Sequence, residues 1–332
     1  MEPVNTPLNT SLNAPLITAI KPRQTVADLF RLTEARLQLV WLAGAVGAER
    51  ELGADTVYRP TLALLGHADM LEPGRLQVLG STEMRLIASL GPEAQQQAIQ
   101  ALFSLDSAAI FIANAAEVPS LFLQYAEQTN TALIVAGVTT AAAVRGLNHQ
   151  LSRSLAPYAV VHGVLMEVSG LGVLITGDPA IGKSELALEL VSRGHRLVAD
   201  DAVELHATSP ETLEGRSPTL LRDFMEVRGL GLLNIRLMFG EAAVKHSLPL
   251  KLIVQLMPAD AWDASNRFDM QADLCHILEI AVPKVRLPVA VGRNLAVLVE
   301  VAVRNYVLQQ RGYNSGEDFA RRQREQMVLE DD

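Results

Sequence analysis

The chain has 332 residues, long enough for two hydrophobic cores, and its 49% hydrophobic and 20% charged residues exclude a disordered chain. The net charge of −9 is shared almost evenly between residues 1–150 and 151–332, so no basic block marks a nucleic-acid partner. A single cysteine, Cys275, excludes a disulfide framework, fits a reducing compartment and reads as a core residue. No charged start leads into an apolar segment, and no uncharged apolar run reaches about 18 residues. Neither a signal peptide nor a membrane span is expected, and the expected location is the cytoplasm.

Residues 1–23 are rich in Asn, Thr and Pro and predict a loose extension. Thr25 is placed to cap a helix that the pattern carries through Leu37 to Trp41. Residues 76–79 are a short apolar stretch, 81–90 predict a helix stopped by Gly91-Pro92, and 93–103 predict another. Then apolar runs at 108–113 and 131–136 alternate with helical periods at 119–128 and 139–155. That alternation predicts a small parallel α/β domain over residues 24–155. It carries no phosphate loop, metal-ligand cluster or paired carboxylates, and its role stays open. Ala156-Pro157 breaks the helix and sets the start of a second domain, 156–332.

The second domain opens with strands predicted at 162–168 and 171–176, around Ser169-Gly170. Gly177-Asp178-Pro179-Ala180-Ile181-Gly182-Lys183-Ser184 follows, running into a helical stretch at 185–190. Strand, glycine loop, Gly-Lys-Ser and helix in that order make a phosphate-binding loop. Gly177 and Gly182 let backbone N–H groups approach phosphate oxygens, and the helix N-terminus adds its own unpaired donors. Lys183 supplies a point charge for the β- and γ-phosphates, and Ser184 a hydroxyl for Mg²⁺. Further on, 197–199 predict a strand, 225–231 a strand-to-turn segment, 232–239 a helix and 250–257 a buried strand. Residues 287–293 predict a loop before helices at 294–310 and 315–327.

Asp200-Asp201 ends an apolar strand soon after the loop, where nucleotide-binding α/β folds line their sites. One carboxylate there suits Mg²⁺ and the other a proton acceptor; a plain polar turn is the alternative. Glu226, on a strand before Gly229-Leu230-Gly231, is a second metal ligand or a solvated surface acid. Arg267 and Arg293 are each a phosphate ligand or an ordinary surface arginine, and His162 is a site residue or a structural histidine.

Taken together these segments resemble the bacterial HPr kinase/phosphorylase family. The matching stretches are His162-Gly163-Val164, 170–177, the loop through Glu185, Leu197-Val198-Ala199-Asp200-Asp201, 225–234, Arg267 and 287–294. The resemblance implies two α/β domains, the second a P-loop kinase domain akin to phosphoenolpyruvate carboxykinase. It implies phosphorylation of a regulatory serine of the phosphocarrier HPr by ATP, and phosphorolysis of that serine phosphate by inorganic phosphate to give pyrophosphate. Asp201 would be the base in one direction and the acid in the other. Lys183 would bind the transferred phosphoryl group, Ser184 and Glu226 would hold Mg²⁺, and His162 and Arg267 would complete the catalytic set. Pro288, Gly292 and Arg293 would serve chiefly dephosphorylation, and the chain would assemble as a homohexamer. Glu167-Val168-Ser169-Gly170 stands where the family has Asp-Val-Tyr-Gly, and Ala290-Val291 where it has Arg-Pro. A P-loop kinase of a small metabolite is the next reading, and a nucleotide-gated binding switch the third.

Overall fold

The computed structural model describes residues 19–52, 57–64, 74–104, 106–261, 273–290 and 292–330. The chain divides into two compact units, Lys21–Ala156 and Pro157–Asp332, the latter joined by the segment ending at Ile20.

The first unit contains α1 (Val26–Leu37), β1 (Leu39–Ala43), β2 (Val57–Tyr58), α2 (Thr61–Leu64), β3 (Leu76–Leu79) and α3 (Ser81–Ser89). It continues with α4 (Pro92–Ser104), β4 (Ala109–Ile112), α5 (Ser120–Thr129), β5 (Ala132–Ala136) and α6 (Thr140–Ser154). The Thr25 hydroxyl accepts from the Asp28 N–H, and the Asp28 carboxylate reaches back, a capping box that starts α1. The helix stops short of Trp41. Gln38 turns left-handed (φ +52), and the next residues pair antiparallel with β5, Leu39 with Ala136 and Trp41 with Ile134. Sheet pairing has overridden the helical pattern there. The sheet order is β1-β5-β4-β3-β2, parallel from β2 to β5 with β1 antiparallel at one edge. Strands β3 and β4 are buried at every position because the sheet is covered on both faces; β4 is apolar throughout, and in β3 the buried Gln77 donates from Nε2 to the Ser107 hydroxyl. Phe111 and Ile134 meet α1 and α6 on one face; Ile110 and Leu133 meet α4 and α5 on the other.

The second unit begins with β6 (Tyr158–His162), β7 (Val164–Val168), β8 (Leu171–Thr176), α7 (Lys183–Ser192), β9 (Arg196–Ala199), β10 (Ala202–Ser209) and β11 (Thr212–Arg216). It goes on with β12 (Phe224–Val227), β13 (Gly231–Asn234), α8 (Ile235–Phe239), β14 (Ser247–Pro258), β15 (Asp273–Ile277), β16 (Ile280–Val289), α9 (Leu295–Gln310) and α10 (Ser315–Glu330). The main sheet runs β6-β10-β11-β14-β8-β7-β9, with β16 parallel to β14 and β15 antiparallel to β16. β8, β14 and β16 are mutually parallel, with Thr176 level with Gln255 and Gln255 level with Arg286. Their carboxyl ends therefore leave one sheet edge. Helix α7 seals one face, burying Leu186 and Leu190 against Val173, Ile175 and Val299.

Three sequence expectations change here. The apolar run 162–168 is two strands, because His162 pairs with Ala202 while Val164 pairs with Ile175, and the chain passes between ladders at Gly163. Residues 232–234 pair back onto β12, so α8 starts only at Ile235, with the Asn234 side chain accepting from the Leu237 N–H. Residues 287–289 finish β16 rather than forming a loop. Cys275 is buried opposite Val282, and burial pushes its thiol pKa up. Among the described residues no helix is long and apolar enough to cross a membrane.

A candidate phosphate-binding active site

Strand β8 delivers the chain into the glycine loop, and α7 carries it away. Gly177 sits at φ +146, where a Cβ would lie 2.7 Å from the carbonyl oxygen of Leu256. Gly182 stands at φ +99 as the residue before α7 and has open space around it. Among the described residues no side chain caps that helix, so its first N–H groups are left for an anion. Asp178, Pro179 and Ala180 are exposed, and Ile181 leans onto the core beneath. Lys183 is 8% exposed, and its Nζ donates to the carbonyl oxygens of Gly177 and Asp178 at 3.0 Å each. Burial pulls the ammonium pKa down, against the opposing pull of Asp200, Asp201, Asp178 and Glu185. The lysine is thus drawn back on its own loop and can exchange weak carbonyl contacts for phosphate oxygens.

The two aspartates after β9 have separate environments. Asp200 is 4% exposed and accepts from the Ser184 hydroxyl at 3.1 Å and from the Glu226 N–H at 2.9 Å. Burial raises its pKa; those two donors oppose the shift, and the neighbouring Asp201 charge adds to it. Asp201, next along the chain, has a side chain 64% exposed. It takes a left-handed conformation (φ +67), which Asp tolerates better than most residues but which still costs about 1–3 kcal/mol. Hydrogen bonds hold it there: Gly163 N–H to Asp201 O at 3.2 Å and Ala202 N–H to Asp200 O at 2.8 Å. Nδ1 of His162 lies 3.0 Å from both the backbone oxygen and Oδ1 of Asp201. Both neighbours are acceptors, so Nδ1 carries the proton and steadies the carboxylate.

The structure therefore gathers Lys183, Ser184, Asp201 and His162 at one sheet edge. Glu226 joins through its backbone, while its side chain is exposed on the β12–β13 ribbon. Asp200, to which the resemblance gave no role beside the Asp201 base, is the link between the loop serine and that ribbon. Arg267 lies outside the described residues. Pro288 lies on β16 level with Met257, Gly292 turns at φ +82, and the Arg293 N–H donates to Ala290 O at 3.3 Å with its side chain exposed. Because β8 and β16 flank β14 in parallel, this turn and the glycine loop leave the same end of the sheet, two strands apart, with β16 running three residues further, to the level of Pro258. Ser184, Asp200 and Glu226 offer oxygen donors only, which suits a hard divalent cation. Among the described residues no group of three or more His, Cys, Asp or Glu could hold a metal ion. A cation bound together with nucleotide phosphates needs fewer protein ligands than that.

Comparison with known proteins matches residues 153–323 to the HPr Serine kinase C-terminal domain and residues 25–151 to the HPr Serine kinase N terminus. A protein of Chromobacterium violaceum named HPr kinase/phosphorylase is 48% identical over 91% of this chain and 95% of its own length. Another so named, from Nitrosomonas europaea, is 42% identical over 92% of this chain and 95% of its own. A solved structure, the Hpr(Ser) kinase/phosphatase from Coxiella burnetii, is 34% identical and covers 48% of this chain and 97% of that one, with a TM-score of 0.44.

Proposed function

The chain belongs to the HPr kinase/phosphorylase family, and we propose from that premise that it phosphorylates a serine of HPr with ATP and removes the phosphate by phosphorolysis. The observation that carries the reading is the split between the two aspartates: one buried against the loop serine, the other exposed beside the same loop. A small metabolite could be enclosed, but a serine on a folded protein needs a base it can reach from solvent. Asp201 provides that, which favours a protein substrate over a metabolite.

In the forward direction the glycine-loop N–H groups and Lys183 grip the γ-phosphate of ATP. Asp201, steadied by His162, takes the proton from the seryl hydroxyl as its oxygen attacks phosphorus, and ADP leaves. In the reverse direction an oxygen of inorganic phosphate, held in the same cradle, attacks the phosphorus of serine phosphate. A P–O–P bond forms, the seryl P–O bond breaks, and Asp201 returns a proton to the departing serine oxygen. One carboxylate serves both directions by microscopic reversibility. Mg²⁺, when bound, would neutralise developing charge on the phosphate oxygens. Ser184, Asp200 and Glu226 are the residues that would hold or orient it. Arg267 would add a positive charge to the transferred group, and Pro288, Gly292 and Arg293 would serve the phosphate-dependent reaction. A homohexameric assembly is part of the same proposal.

The test is a paired assay with ATP, Mg²⁺ and purified HPr, followed by addition of inorganic phosphate. Serine phosphate on HPr and later pyrophosphate release are expected. Label on a small molecule with none on HPr would overturn the reading in favour of a metabolite kinase.

A further inference from the structure

Helix α7 begins with Lys183 and Ser184, the two residues assigned to phosphate and cation, and α9 begins at Leu295, behind the Asn294 cap that follows Arg293. The two helices are fastened at two points. Near the start of α9, Asn294 Nδ2 donates to Glu189 Oε1 of α7 at 2.9 Å, while Asn294 Oδ1 accepts from the Val297 N–H at 2.9 Å and caps α9. Six residues further along, Glu300 receives Arg193 through Nε at 2.9 Å and Nη2 at 2.7 Å, and His195 Nε2 at 2.9 Å. The Ser169 N–H reaches Nδ1 of the same histidine at 3.4 Å, so Nδ1 accepts and Nε2 carries the proton toward Glu300.

The two fastenings have different reach. The Glu300 cluster is bidentate and joins the body of α9 to the end of α7 whatever happens at its start. The Asn294–Glu189 bond acts on the turn itself. Asn294 is the residue after Arg293, and Glu189 lies six residues beyond Lys183 on α7, about 9 Å along a rigid helix. The amide of Asn294 thus uses one end to start α9 and the other to measure its distance from the phosphate loop.

We infer that Glu189 and Asn294 form a positioning pair that sets Arg293 against the phosphate cradle and tunes the use of inorganic phosphate rather than of ATP. The inference rests on the proposed function, in which Arg293 serves phosphorolysis. Neither residue touches a reacting atom.

The experiment measures both reactions in Glu189→Ala and Glu189→Gln. Alanine removes the acceptor, whereas the glutamine amide oxygen keeps it. Glu189→Ala should raise KM for inorganic phosphate about five-fold, with HPr labelling by ATP within about two-fold of wild type and an unchanged melting temperature. That direction is opposite to simple electrostatics, since removing a negative charge near the site would help phosphate bind. Glu189→Gln should stay close to wild type. Equal loss of both reactions in Glu189→Ala, an unchanged KM, or a Gln variant as impaired as the Ala variant would each overturn the inference. A wild-type protein that labels HPr yet never releases pyrophosphate would remove the phosphorolysis half of the proposed function, and this inference with it. The wild-type control therefore shows which of the two has failed.

Discussion

Each unit contains a parallel strand that turns through glycine into a helix, and the two junctions share a spacing. In the first unit Gly80-Ser81-Thr82-Glu83 opens α3; in the second Gly182-Lys183-Ser184-Glu185 opens α7. At α3 the chain enters with Gly80 at φ −104, and the Glu83 carboxylate folds back to accept the Gly80 N–H at 2.9 Å. That carboxylate is 1% exposed and also takes Arg59 at 2.7 Å and Thr61 at 2.7 Å, which together hold its pKa down against the upward push of burial. The Gly80 hydrogen is also crowded, since a Cβ there would lie 2.5 Å from the Thr140 hydroxyl. At α7 the glycine is left-handed, Glu185 is exposed, and no described side chain caps the helix. The same strand-to-helix physics gives a self-satisfied structural joint in one unit and an uncapped helix start suited to an anion in the other. Backbone handedness at a single glycine, with the buried Glu83 carboxylate held by Arg59 and Thr61, decides which.

Substitutions can sharpen or break that contrast. The largest effect is expected at the open junction: Asp201→Asn should cut serine labelling of HPr about 10³-fold, the scale of a lost general base, while ATP binding stays within about two-fold. Labelling at wild-type rates would remove Asp201 from its role. At the closed junction, Glu83→Ala strands the Thr61 hydroxyl and the buried Gly80 N–H, and should cost the first unit about 2 kcal/mol. Denaturant unfolding followed alongside nucleotide titration should show that loss with ATP affinity unchanged; coupled loss of affinity would break the separation drawn between the two junctions.

Gly182→Ala should be milder. An L side chain at φ +99 costs about 1–2 kcal/mol, so ATP affinity should weaken about ten-fold even though the new methyl group meets no neighbour. Gly182→Ala with undiminished affinity would mean that handedness is not what holds the cradle open. The smallest effect concerns acid stability. Hydrogen bonds from Arg193 and His195 bring the Glu300 carboxyl from its ordinary 4.5 to about 2. A depressed carboxylate pKa favours the folded state above the unfolded value and gives that advantage up as pH falls toward the folded value. Thermal stability should therefore decline between about pH 4.5 and 2, and Glu300→Gln should flatten that part of the profile. A Gln variant with the wild-type slope would show that the α7–α9 fastening adds nothing measurable.

Much of this protein was legible in its residues taken alone. The phosphate loop from Gly177 to Ser184, the strands at β4, β5 and β8 and the helices α6, α7 and α9 are specified by neighbours a few positions apart: glycines, caps and apolar periods act over one or two turns. Only the tertiary structure decided the rest. Asp200 and Asp201 are adjacent and chemically identical, and their different burial comes from a left-handed turn between β9 and β10. Glu226 reaches Asp200 across 26 residues, His162 reaches Asp201 across 39, and Asn294 reaches Glu189 across 105. Residues 39–41 read as helix until β5 claimed them as strand. Contacts that far apart depend on which strands pair and in what register, and no local pattern carries that information.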